Sequence, residues 1–246
     1  MEPDGIPTIK ISDYDLLVLT SSINTKKAGN VLDNVEDIFF AGKDFDRDTP
    51  VQFINDDIKI FNKYIKEGRY FYNQIKEEGI ILYNGGKFKL SRRRKLNFEE
   101  IKEQAQEYFN EKFNQGNGFL QTTKLIYENM QDYKLCSFNL HQACENYYYA
   151  IRLSFTLRNN KQHNLSKLSA SVKKYSEELN AVFPQDTPEE KRLFALLKAA
   201  YIDARYNPHF VVEKEDIDTL LPKVALLRDL AEKICMERIK RYEEGK

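Results

Sequence analysis

Asp13 and Asp15 flank Tyr14 immediately ahead of an apolar run, Leu16-Leu17-Val18-Leu19. On a strand, positions i and i+2 share a face about 7 Å apart. Both carboxylates can then reach one or two Mg²⁺ ions, and such ions hold a nucleotide triphosphate for in-line phosphoryl or nucleotidyl transfer. The plainer alternative is that the two acids only cap the end of the strand. A second constellation lies in a stretch of helical periodicity, where His141, Glu145, Tyr148 and Arg152 fall at i, i+4, i+7 and i+11. They share one helix face, while Leu140, Tyr147 and Ile151 occupy another. An acid and bases on one face of an otherwise apolar helix could bind a nucleotide phosphate or a partner, with Asp203 as a further member. The same groups could equally close an internal hydrogen-bonded network with Asp203 or Arg205.

These residues need elements to position them. Leu16 to Leu19, Val51 to Ile54 and Ile80 to Tyr83 are short apolar runs bounded by polar residues and read as buried strands. Between them, Lys26 to Phe40 and Ile58 to Ile65 carry apolar residues at helical spacing, so the first ninety residues predict a small α/β unit. Gly85-Gly86 marks a turn near its end. Asn97, with Glu99 and Glu100 behind it, predicts the start of a helix, which Gly116-Asn117-Gly118 should interrupt or kink. Further helices are expected from Asp132 to Leu157 and from Leu165 to Leu179, with Arg158 to His163 as a turn. Thr187-Pro188-Glu189-Glu190 combines a cap, a proline at the first helical position and a capping-box glutamate. The helix it opens should stop before Pro208. A last helix carries Leu220, Val224, Leu227, Ala231 and Ile234, and Pro222 is expected to split off a short leading turn. The sum is an α+β chain: residues 1–90 as the α/β part, 91–97 as a basic linker, and 98–246 as an antiparallel bundle of about five helices.

The totals narrow the function classes. The 246 residues contain 38 basic and 38 acidic side chains, with 41% hydrophobic and 31% charged residues. A balanced chain of this kind has no net field to recruit nucleic acid or membrane, and no DNA-specific signal. Its one concentrated charge, Arg92-Arg93-Arg94-Lys95, reads as a solvated linker or as an RNA-contacting patch. The first residues contain neither a basic nor an apolar targeting region, and no apolar run is long enough to span a bilayer, so a cytoplasmic location without membrane partners is expected. Cys136, Cys144 and Cys235 are odd in number and widely spaced, which suggests neither disulfides nor zinc.

Several stretches resemble known families. The run Ser12-Asp13-Tyr14-Asp15-Leu16-Leu17-Val18-Leu19 resembles the metal-binding strand of minimal nucleotidyltransferases, and Gly68 to Tyr83 strengthens that likeness. Phe138-Asn139-Leu140-His141-Gln142-Ala143-Cys144-Glu145-Asn146-Tyr147-Tyr148-Tyr149-Ala150 is similar to the second helix of HEPN domains, and Phe194 to Tyr206 to the fourth. Lys161-Gln162-His163-Asn164-Leu165 looks like a turn of the same family. The whole looks like the bacterial fusions of a nucleotidyltransferase with a HEPN domain, in which the two act as toxin and antitoxin. The first resemblance implies Mg²⁺ on Asp13 and Asp15. It also implies a Gly-Ser turn ahead of them and a third carboxylate on the next strand. Nothing before Ser12 supplies the turn, and Gln52 stands where the carboxylate is expected, so a truncated remnant that does not catalyse alone is implied. Asp56 and Asp57 read as helix-start residues. The second resemblance implies a homodimer through the HEPN helices and a nucleotide or RNA ligand. Nuclease members of that family carry Arg and His with four to six residues between them near the end of the fourth helix. There the His acts as general acid or base and the Arg stabilises the phosphorane. Arg205 and His209 are the matching pair here but have only three residues between them. Arg158 and His163 have the family count but sit in another turn, where His163 reads as a turn residue. A binding module is thus the first expectation. An enzyme is the alternative, either a Mg²⁺-dependent nucleotidyltransferase through Asp13 and Asp15 or a ribonuclease through Arg205 and His209.

Overall fold

A computed structural model of the chain describes residues 14–21, 25–41, 51–158 and 163–245. The chain divides into two compact units, Met1–Lys95 and Leu96–Lys246.

In the first unit the order is β1 (Tyr14–Thr20), α1 (Thr25–Ala41), β2 (Val51–Asp57), α2 (Ile58–Lys66) and α3 (Tyr70–Glu78). The two strands pair in parallel, with Asp15 opposite Gln52 and Leu16 opposite Phe53. A parallel pair needs a crossover, and α1 lies within it. Asp57 caps α2 by accepting from the backbone N–H groups of Lys59 at 2.7 Å and Ile60 at 3.3 Å. The helix turns Ile58, Phe61 and Ile65 inward, and with Val51 and Ala28 these form the small core. Asn62 and Lys76 fasten the segment that follows α3. The Asn62 amide donates to the Lys89 carbonyl and accepts from the Ser91 N–H, while the Lys76 ammonium donates to the Ser91 carbonyl. Arg92, Arg93, Arg94 and Lys95 are exposed.

Two expectations fail in this unit. The run Leu16 to Leu19 is half-buried instead of buried, because one partner strand covers it on one edge only. Ile80 to Tyr83 forms no strand, and these four side chains stand 66–88% exposed. Their composition suits a strand, but the described sheet has two members and offers them no ladder.

The second unit runs α4 (Phe98–Asn129), α5 (Tyr133–Thr156), α6 (Leu165–Val172), α7 (Pro188–Tyr206) and α8 (Lys214–Glu243). Helix α5 is the centre: α4, α6, α7 and α8 all pack on it. It is buried almost all round, from Cys136 to Ser154. The capping boxes set the starts: Asn97 with Glu100 opens α4, and Thr187 with Glu190 opens α7. Asp216 is 3% exposed; Arg192 pairs with it, and it accepts from the Glu213 N–H that starts α8. At the other end of α5, where carbonyls lack intrahelical donors, the Tyr242 hydroxyl donates to Ser154 O at 3.1 Å and Phe155 O at 3.4 Å. No helix of the described residues is long and apolar enough to cross a membrane.

Three helix expectations are corrected. Gly116-Asn117-Gly118 does not interrupt α4. Gly116 is buried where a Cβ would stand 2.6 Å from the Tyr147 ring, so the glycine admits a neighbouring helix instead of breaking its own. The helix expected to Leu179 ends at Val172 and continues as two 3₁₀ turns, Lys173–Tyr175 and Glu177–Asn180. Pro222 lies inside a continuous α8. It is exposed, and only one intrahelical bond is lost to it, while buried Leu220, Val224 and Leu227 hold the helix on either side.

Candidate functional site

The second constellation assembles where α5, the start of α6 and α7 meet. His141 and Glu145, one turn apart on α5, are 1% and 8% exposed. The Nδ1 of His141 lies 2.9 Å from the Leu197 carbonyl of α7. A carbonyl only accepts, so Nδ1 carries the proton. Nε2 of His141 then faces Glu145 Oε2 at 3.6 Å, and neither buried atom has a hydrogen-bond partner. The other carboxylate oxygen, Oε1, accepts from Nδ1 of His163 at 2.9 Å.

His163 is 56% exposed in its side chain, just before α6. Its ring lies within 4° of parallel to Tyr201, with centroids 5.5 Å apart, and the His141 ring stacks on Tyr201 at 5.2 Å. Leu197, Tyr201 and Arg205 follow at i, i+4 and i+8 on α7 and so share a face. Arg205 donates from Nε to the Tyr201 carbonyl at 2.8 Å. Its guanidinium carbon sits 4.6 Å from the Tyr201 centroid, 5.0 Å from Tyr206 and 5.4 Å from Phe138. It is exposed and pairs with no carboxylate among the described residues. Burial pushes the Glu145 carboxyl up, but the adjacent His141 ring and the hydrogen bond from His163 outweigh it and hold the group below the usual carboxylate range. The outcome is an anion beneath the surface, an imidazole fixed by it at the surface, and a guanidinium spread on the same tyrosine.

Other expected members lie elsewhere. Tyr148 is 1% exposed and bonds to Ser169, and burial pushes its phenol up. Arg152 and Asp203 are half-buried, and neither side chain joins the Glu145 network, which runs to His163 and the Leu197 carbonyl. His209 is exposed in the turn after α7, where its N–H donates to the Asn207 side chain at 3.0 Å. No hydrogen bond, ion pair or ring contact joins it to Arg205 among the described residues. Arg158 is exposed, and the residues between it and His163 lie outside the described ones.

The sequence gives His163 only a turn role, and assigns Tyr201 and the Leu197 carbonyl no part in a site. The α7 spacing was visible, but nothing in a sequence says that a turn histidine 18 residues beyond Glu145 folds back onto it.

In the first unit Asp15 is exposed and faces Gln52 across the sheet, and Asp13 lies outside the described residues. No group of three or more His, Cys, Asp or Glu side chains that could hold a metal ion occurs among the described residues.

The family model for the HEPN domain matches residues 109–234, just over half of the chain. No curated protein matches the chain.

Proposed function

Because the chain belongs to the HEPN family, a nucleotide- and RNA-related class of module, we propose that its helical unit binds a phosphate-bearing ligand, a nucleotide or RNA strand. The binding groups are His163, Tyr201 and Arg205. One observation carries the reading: Arg205 has no carboxylate partner among the described residues and lies exposed on Tyr201, beside an imidazole that Glu145 anchors from below. A guanidinium offers a fork of donors to phosphate oxygens, and an aromatic face beside it accepts a base. The unit acts as a homodimer through its helices, and the first unit is a nucleotidyltransferase-like remnant that does not catalyse alone.

Fluorescence anisotropy with labelled single-stranded RNA tests the reading. Arg205→Gln and His163→Ala each weaken binding about tenfold, as loss of a charge-assisted hydrogen bond does, and Asp15→Ala leaves it unchanged in Mg²⁺. Equal affinity of all three variants and the parent overturns it.

A second reading has its own support. The bond from Glu145 fixes the His163 proton on Nδ1 and leaves Nε2 basic at the surface, the arrangement of a general base. Ribonuclease activity would then use Arg205 with His163 in place of His209, and a toxin–antitoxin role would follow from it. Growth inhibition on overexpression that survives both Arg205→Ala and His163→Ala removes this reading.

A further inference from the structure

A cleft of about 320 Å³ lies between the end of α5, the two 3₁₀ turns and α8. It shares no residue with the His163–Arg205 surface. Phe155 and Tyr175 form one wall, their rings stacked at 4.0 Å and 22°. Arg238 and Arg241, three residues apart on α8 and so on one face, supply the cations. The Arg238 guanidinium is wedged 4.2 Å from the Tyr242 centroid and 5.3 Å from Phe155. Its Nε is buried without a hydrogen-bond partner. Arg241 has no ion-pair partner among the described residues. Both guanidinium groups stay uncompensated although Glu177, Glu178 and Glu237 line the same cleft. Glu178 is taken by Lys233, at 2.9 and 3.0 Å. That leaves the Glu177 and Glu237 carboxylates and the Ser176 hydroxyl as polar groups on the walls, the hydroxyl accepting from the Glu178 N–H.

A ligand that satisfies this set has an anion for two guanidinium groups, a flat ring for the aromatic wall, and hydroxyl or amino donors for the free carboxylates. A purely anionic ligand would leave Glu177 and Glu237 facing like charge, and a cationic one would meet Arg238 and Arg241. We propose that the cleft is a binding site for a nucleoside monophosphate. The phosphate lies on Arg238 and Arg241, the base against the Phe155–Tyr175 pair, and the sugar hydroxyls donate to the carboxylates. A volume at the small end of the ligand-pocket range suits one nucleotide rather than two.

Calorimetric titration of the full chain with AMP, and separately with inorganic phosphate, tests the site. AMP binds more tightly than phosphate, and Arg241→Gln weakens it about tenfold. Arg241 is exposed, so that variant should fold; far-UV circular dichroism and the melting temperature check it. Arg205→Gln leaves AMP affinity unchanged, which separates this cleft from the proposed RNA surface. The proposal is overturned by no heat at millimolar AMP, by phosphate binding as tightly as AMP, or by affinity that Arg241→Gln leaves intact. AMP binding lost in Arg205→Gln and kept in Arg241→Gln would overturn this site and leave the surface reading standing.

Discussion

The imidazole of His163 lies parallel to the ring of Tyr201, while its Nδ1 is held by the carboxylate of Glu145 from the buried side. The stack fixes the plane of the ring, and the carboxylate, which only accepts, fixes its proton. One nitrogen, Nε2, is left to meet a ligand.

Glu145 should make stability depend on acid pH. Its carboxyl is held below the ordinary value of 4.5 in the folded chain. Its contribution is therefore complete above that value and is lost as pH falls through the lower, folded one. Glu145→Gln should cost about 1–3 kcal/mol at neutral pH and should flatten the stability curve below pH 4.5. Denaturant unfolding at a series of pH values measures both. Parallel curves for parent and variant would mean that the carboxylate gains nothing from its histidines.

If Arg205 meets phosphate, RNA affinity should carry its signature in salt. Each phosphate contact on a single strand adds about 0.7 to the slope of log affinity against log salt. Arg205→Gln should lower the slope by that amount. A weaker complex with an unaltered slope would place the loss in stacking instead of charge.

Gly116→Ala should destabilise the helical unit in spite of alanine's better helix propensity. The new Cβ would stand 2.6 and 2.9 Å from two carbons of the Tyr147 ring. That ring is fully buried, and its hydroxyl donates to Asn117 at 2.9 Å, so it has little room to move. Overpacking of this kind costs about 1–3 kcal/mol, against about 1 kcal/mol gained in propensity. A lowered melting temperature, partly restored when Tyr147→Leu is added, is the expected result. A variant more stable than the parent would show that α4 and α5 are not this close.

The thiols should be silent until the chain unfolds. Cys136, Cys144 and Cys235 are buried. Burial pushes Cys136 up to about 11, helped by Asp132, and Cys235 up to about 12, with Cys144 higher still. Thiolate, the reactive form, is then scarce at neutral pH. A thiol-reactive chromophore should report almost no reaction with the native protein and three groups in guanidinium. Rapid native reaction at any of them would contradict its packing.

What could be read from the residues alone was what depends on near neighbours in the chain. The starts of α4 and α7 follow from Asn97 with Glu100 and Thr187 with Glu190, because each box closes within four residues. The end of α7 follows from Pro208. Errors arise where a distant segment decides. Ile80 to Tyr83 has a strand's composition but needs a ladder. Gly116 looks like a break until Tyr147 is seen against it, and Pro222 is tolerated because its flanks are buried. The candidate site divides the same way: the His141–Glu145 pair is helical spacing, whereas His163 and Tyr201 reach it only through the tertiary fold.

The Tyr242 hydroxyl closes the last carbonyls of α5 from more than eighty residues downstream. The central helix of the bundle is thus completed by one of the last parts of the unit to be made. During synthesis, α5 leaves the ribosome long before its C-terminal lid exists, and the side chains it buries must wait for α8. Nascent chains stalled short of residue 242 should therefore engage chaperones and remain sensitive to protease, and resistance should arrive late and all at once.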